Sequence, residues 1–202
     1  MPREPRTWEV GAVYHLFSRG SNRQAIFLND GDYGEFEMLM HQTVLRHGLD
    51  TYGWSLMPNH WHLVVACPSE GLSTFVKALN QRYAIRFDRR WGRTAHVFQN
   101  RFGAVRQTTE EQFLWTLRYV VTNPVAAGIC ASPLDAQWTS FAATAGRVPA
   151  PAHLRVAAIL AHFGDELGRA RERYIEFVLG SSDDDSLDYS LGNDLLPQVV
   201  AA

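Results

Sequence analysis

Met57-Pro58-Asn59-His60-Trp61-His62-Leu63-Val64-Val65 is the stretch on which the reading of the fold turns. Met57-Pro58-Asn59 reads as a turn, and His60 to Ala66 as a half-buried or fully buried strand. Side chains alternate along a strand. His60 and His62 therefore share one sheet face, while Trp61, Leu63 and Val65 point the other way, into a core. Two neutral imidazoles side by side can present nitrogens to a single divalent metal. Partly exposed strand histidines in ordinary polar contacts would give the same triplet. A third ligand, a reactive group and a substrate surface must come from elsewhere in the chain.

Asp50 to Leu56 reads as the preceding strand, and so short a link predicts an antiparallel hairpin. Upstream, Val10 to Ser18 alternates as a first strand that ends at Arg19-Gly20-Ser21-Asn22. His15 inside it reads as a hydrogen-bonded structural residue and stays outside the site. Asp30 or Asp32 caps a helix to about Arg46, with Phe36, Leu39, Met40, Thr43 and Val44 on its apolar stripe. His47-Gly48 ends it. Downstream, Ser69 or Ser73 opens a helix to about Arg90 that buries Phe75, Leu79, Tyr83 and Phe87 and stops at Gly92. Val97 to Arg106 supplies a last strand or extended segment. The order strand-helix-strand-strand-helix-strand is the split βαβ pattern, so the expected class is α+β with a ferredoxin-like antiparallel sheet. Its helices are expected on one face, leaving the other for a ligand.

A chain of 202 residues can hold one full core plus an appendage, or two small domains. No apolar run approaches the ~20 residues of a membrane span, and the first residues lack the apolar core of a secretory signal. Cys67 and Cys130 form neither a disulfide framework nor a CxxC site. The expected location is the cytoplasm, at the nucleoid, with no membrane partner. The net charge of −2 hides an asymmetry. Lys77, Arg82, Arg86, Arg89, Arg90, Arg93, Arg101 and Arg106 face only Asp88 within their own stretch, whereas the segment from Ser181 onward is acidic without a basic residue. A basic middle rich in arginine suits phosphate contacts, and the aromatics Tyr83, Phe87, Trp91, Phe98 and Phe102 interleave with it. Solvated helix faces and a solubilising tail would carry the same charges. The expected organisation is a catalytic domain over 1–146, a helical appendage over 147–180 and an acidic, disordered tail over 181–202.

Thr108 or Thr109 caps a further helix with Glu110 and Glu111 in its first turn, which Pro124 ends or kinks near Asn123. At ~100° per residue, Phe113, Leu114, Leu117, Val120 and Val121 cluster as its packing stripe. Tyr119 falls almost opposite, with Asn123 and Gln112 on its face. A free phenol ionises only near pH ~10 and is a weak nucleophile at neutrality. A neighbouring cation can lower that pKa or polarise a phosphate that the phenol attacks. An amphipathic surface tyrosine is the plain alternative.

Four blocks in order carry a resemblance: Tyr14-His15-Leu16-Phe17-Ser18-Arg19-Gly20; Met57 to Val65; His96-Val97-Phe98-Gln99-Asn100-Arg101-Phe102; and Arg118-Tyr119-Val120-Val121-Thr122-Asn123-Pro124-Val125-Ala126-Ala127-Gly128. Over about two-thirds of its length the chain resembles the single-tyrosine HUH transposases, specifically the REP-associated tyrosine transposase branch. The resemblance implies that His60 and His62 bind Mg²⁺ or Mn²⁺, that Tyr119 is the catalytic nucleophile, and that Asn123 is the third ligand, with Gln112 or a water as substitutes. Ala126 stands where members often carry a basic residue. The implied activity is that of a metal-dependent single-strand DNA endonuclease and strand transferase working through a 5′-phosphotyrosine. Its implied partner is a hairpin of the repetitive extragenic palindrome type, bound by a monomer or a homodimer. Arg82, Arg86, Arg89, Arg90, Arg93, Arg101 and Arg106 are expected to track the DNA, with Arg19, Asn22 and Arg23 contacting it from the loop after the first strand. The competing readings are a catalytically silent hairpin- or single-strand-binding protein and a two-histidine hydrolase using water.

Overall fold

The structure, a computed structural model, describes residues 6–66, 71–99 and 101–180. Cys67, Ser69, Asn100 and the acidic segment from Ser181 lie outside them. The elements begin β1 (Val13–Arg19), α1 (Asp30–Arg46), β2 (Asp50–Met57), β3 (His60–Ala66), α2 (Leu72–Trp91) and β4 (Gly103–Arg106). The strands form one antiparallel sheet in the order β2-β3-β1-β4, the ferredoxin-like arrangement. The β2–β3 register pairs Met57 with His60 across the two-residue Pro58-Asn59 link, so the turn fixes which way both histidines point.

One sheet face carries α1 and α2. Trp61 is buried there, its ring 5.9 Å from that of Phe36, and its indole N–H donates to Asn80 Oδ1 at 3.2 Å. Phe36, Leu39, Met40, Thr43 and Val44 of α1 are buried, as are Phe75, Leu79, Tyr83 and Phe87 of α2. Asn29, rather than Asp30 or Asp32, caps α1: its side chain accepts from Asp32 N–H while the Asp32 carboxylate turns inward. Among the described residues no side chain caps α2, which starts after Gly71 and stops at Gly92, where φ is 61°.

The opposite face is only half open. The helix α3 (Glu110–Ala126) crosses it, touching β2 through Phe113 against Tyr52 and Leu117 against Gly53, and β3 through Tyr119 against His62. The expectation of a free face is therefore corrected: β1 and β4 leave Phe17 and Val105 half-exposed, while α3 covers the rest. Pro124 neither ends nor breaks α3, which runs on to Ala126. A proline this near the C-terminus forfeits only its own bond back to the Val120 carbonyl.

Beyond α3 come α4 (Phe141–Thr144), α5 (Val156–Leu160) and α6 (Leu167–Leu179). Ile159, Leu160, Ala170, Tyr174 and Val178 belong to the same apolar core as the sheet. The 138–140 segment bonds to the outer edge of β2 (Leu56 N–H to Trp138 O, 2.9 Å; Ser140 N–H to Trp54 O, 3.1 Å), and Thr51 exchanges bonds with His153 and Arg155 further along. The edge strand β2 is thereby covered. Arg118 ties α3 to the end of α6 through the Phe177 and Gly180 carbonyls.

Candidate active site

His60 and His62 lie on the α3 side of the sheet, and both are buried, at 4% and 1% exposure. The Asn59 carboxamide sets His60: its Oδ1 accepts from His60 Nδ1 at 2.6 Å, and its Nδ2 donates to Arg23 O at 3.1 Å. With Nδ1–H so committed, His60 keeps its lone pair at Nε2. His62 meets His15 on the neighbouring strand, Nδ1 to Nε2 at 2.8 Å. His62 Nε2 is buried and has no hydrogen-bond partner among the described residues; Ser55 Oγ, directly across from His62 on β2, is in the same condition.

Burial is the main reason these imidazoles stay neutral. It lowers His15 to about 3. It brings His60 to about 4, assisted by the Arg19 charge and opposed by a hydrogen bond with Asn123. His62 falls well below its ordinary value through burial, then through His60, His15 and Arg19. Neutral imidazole is the ligating form. The donor set fits a divalent cation on that ground and on the unpartnered His62 Nε2. No carboxylate joins it: among the described residues no group of three His, Cys, Asp or Glu side chains could hold a metal ion.

The helix α3 brings Tyr119 and Asn123 to the pair. Tyr119 is half-buried, its ring edge-on to His62 at 5.5 Å and 80° and to His15 at 6.1 Å and 73°. Asn123 is buried one turn on, near enough to His60 to favour its protonated form, with its Nδ2 3.4 Å from Tyr119 O. Tyr119 was expected almost opposite the packing stripe, but it sits at the stripe's margin. Thr116 and Asn123 are also buried, which widens the buried face toward the tyrosine, whereas Leu114 is only half-buried. Gln112 is unavailable as a ligand. Thr109 Oγ1 accepts from Gln112 N–H, and Gln112 Oε1 accepts from the Thr108 N–H and hydroxyl, which ties this side chain to the start of the helix.

Backbone bonds lace a loop beside His60. Gly20 N–H donates to Asn59 O at 2.8 Å, Ser21 N–H to Val97 O at 2.9 Å, Ile26 N–H to Pro58 O at 2.8 Å, and Gln99 N–H to Arg19 O at 2.9 Å. Within it Asn22 and Arg23 are exposed and hold left-handed φ of 52° and 59°. A Cβ on Gly20 would stand 2.1 Å from Gln24 O, so only glycine allows the loop to fold back this tightly. Arg93 Nη2 reaches Gln24 of the same loop at 2.7 Å, and Arg101 is exposed at the start of the β4 approach.

The remaining arginines of the expected DNA track lie elsewhere. Arg82 donates to Thr43 and Gln42, Arg86 pairs with Glu35, and Arg90 with Asp32 and Glu35. These three brace α2 to α1 on the far side of the sheet, because α1 presents carboxylates there. Arg89 is exposed on α2, and Arg106 pairs with Glu9 at the opposite end of β4. Tyr83 and Phe87 are core residues, not stacking platforms, and the Trp91 indole N–H is bonded to Asp32.

The fold and site together define a ferredoxin-like protein with a histidine–tyrosine centre between its sheet and a third helix. The sequence profile described as "Transposase IS200 like" matches residues 10–125, more than half of the 202, and the chain belongs to that family. A solved REP-associated tyrosine transposase bound to a REP hairpin shares the fold, with a TM-score of 0.62 at 17% identity over 73% of this chain and 87% of that one. A candidate transposase from Deinococcus radiodurans R1 matches with a TM-score of 0.43 at 19% identity over 59% of this chain and 95% of that one. No curated protein sequence matches. Among the described residues no helix is long and apolar enough to cross a membrane.

Proposed function

We propose that the protein is a single-strand DNA endonuclease and strand transferase that acts on hairpin DNA with Tyr119 as its nucleophile. The observation that carries this reading is the Tyr119 ring lying edge-on to His62, whose buried Nε2 has no partner. His60 and His62, with Asn123, would hold Mg²⁺ or Mn²⁺. When bound, the cation supplies polarisation of the scissile phosphate and offsets its developing charge.

The chain's own groups do the rest. Tyr119 Oη forms a bond to phosphorus as the P–O3′ bond breaks; the phenol proton is released and the departing 3′ oxygen leaves as a free hydroxyl. The 5′ phosphate stays on the tyrosine, so the phosphodiester's energy is kept. Attack by a second 3′-OH reverses the step, restores the phenol and joins the strands without a nucleotide cofactor. Asn59 orients the His60 imidazole. Arg19, beside the histidines, and Arg23, Arg93 and Arg101 would form the cationic margin along which a strand lies, with Asn22 as a polar contact. The hairpin-bound transposase of the same fold supports the hairpin as substrate class.

The test uses labelled single-stranded hairpin oligonucleotides with Mg²⁺ or Mn²⁺, resolved on a denaturing gel beside Tyr119→Phe and a His60→Ala/His62→Ala double variant. A slow-migrating adduct with the unaltered protein alone supports the reading. Cleavage that survives Tyr119→Phe points to the water-using hydrolase, and tight binding without cleavage points to the silent binding protein.

A further inference from the structure

Resting on the metal reading of His60 and His62, we infer that His15 is a positioning residue: it fixes His62 in the tautomer whose Nε2 lone pair faces the cation. Sequence reasoning assigned His15 a purely structural place, and nothing in the proposed chemistry uses it.

The geometry that carries this is the buried contact of 2.8 Å between His15 Nε2 and His62 Nδ1. Two neutral imidazoles joined this way must divide the roles, one nitrogen donating and the other accepting. If His62 Nδ1–H donates, His62 Nε2 carries a lone pair and His15 holds its second proton on Nδ1. If His15 Nε2–H donates, His62 carries its proton on Nε2 and cannot ligate there. The outer nitrogens, His62 Nε2 and His15 Nδ1, are both buried without a partner. Each tautomer therefore leaves one donor and one acceptor unsatisfied, and the protein alone prefers neither on hydrogen-bond count. A cation at His62 Nε2 satisfies the lone pair and selects the first arrangement. His15 then accepts from the ligand's other nitrogen, the service that a carbonyl or carboxylate usually performs for a metal-bound histidine.

The surroundings hold His15 to that role. Its exposure is 2%, and its ring stacks on His62 with centroids 5.0 Å apart, flanked by Phe17 at 5.3 Å and Tyr119 at 6.1 Å. Within hydrogen-bonding distance of His62 Nδ1 the structure offers His15 alone among the described residues. Phenylalanine at position 15 would keep the ring contacts and remove the acceptor. Glutamine would keep a reaching polar group that can accept from His62.

The experiment measures Mn²⁺ binding to the full-length protein by calorimetry for wild type, His15→Phe, His15→Gln and His60→Ala, with thermal melts of each. It adds nitrogen-15 NMR of the His62 imidazole in the Mg²⁺-loaded wild type. The expected results are 10–100-fold weaker Mn²⁺ binding for His15→Phe, recovery of most of that loss by His15→Gln, and His62 protonated on Nδ1. Wild-type-like Mn²⁺ affinity in a folded His15→Phe protein would overturn the inference while leaving the metal reading intact, whereas a His62 proton on Nε2 in the Mg²⁺-loaded protein would overturn both. If wild type and His60→Ala gave the same isotherm, the metal reading would fall first and the inference with it.

Discussion

Asn59 shows how much one side chain can decide. Its carboxamide joins the His60 imidazole to the backbone of Arg23, so a turn residue both orients a proposed ligand and anchors the loop beside it. Asn59→Ala is expected to lower DNA cleavage by 10-fold or more while costing only about 1 kcal/mol of stability. Urea titration beside a cleavage assay separates the two effects. Gly103 acts through space rather than through bonds, since a Cβ there would stand 2.0 Å from the Phe17 ring that flanks His15 and His62. Gly103→Ala should therefore cost about 1–3 kcal/mol and displace that ring, visible as a shift of the His62 resonances. The buried histidines set the acid limit. Their folded pKa values, about 3 for His15 and about 4 for His60, lie below the ~6.5 of an unfolded imidazole. The unfolded chain thus binds more protons as the pH falls below ~6.5, and stability declines from there toward pH ~4. The melting temperature of the metal-free protein should be flat above pH ~7 and drop steadily below ~6; a level profile down to pH ~4.5 would contradict this.

At the scale of elements, the sequence was legible where local rules decide. Turn chemistry at Pro58-Asn59, alternation along β3, the stripes of α1 and α2 and the glycine stop at Gly92 predicted the elements in their observed order. What failed to show were facts settled by distant partners. The buried face of α3 includes Thr116 and Asn123, polar residues that periodicity discounts; Thr116 is satisfied by Gln107 at 2.7 Å. Similarly, the arginines of α2 looked like a free basic face because the carboxylates they meet, Asp32 and Glu35, sit some fifty residues earlier. Asp32 is fully buried and accepts from Arg90, Trp91 and the Leu28 N–H. Asp32→Ala should cost about 1–3 kcal/mol, since those donors lose their acceptor, and should leave Tyr119 chemistry intact in the folded fraction. The His15–His62 contact was equally invisible, because the register of β1 on β3 is not written in either strand alone.

Across the whole molecule, the sheet divides charge as well as packing. On one side Arg86 and Arg90 are paired with carboxylates and, with Arg82, brace two helices. On the other, Arg19 lies beside the histidines, and the exposed Arg23 is joined through its carbonyl to Asn59, which holds His60. This division makes a prediction for binding of a hairpin oligonucleotide. Arg23→Ala should reduce the slope of log affinity against log salt by about 1, as one lost phosphate contact requires, whereas Arg86→Ala should leave affinity and slope unchanged. The segment from α4 to α6 adds its apolar residues to the sheet's core and holds α3 through Arg118, so the helix that carries Tyr119 is clamped from both sides. The measurement that tests the account most directly is mass spectrometry of the protein after incubation with a hairpin oligonucleotide and Mg²⁺ or Mn²⁺. The account predicts a DNA fragment attached through its 5′ phosphate to Tyr119, absent from Tyr119→Phe and from the His60→Ala/His62→Ala variant. Cleaved DNA with unmodified protein, or an adduct on any other residue, would contradict it.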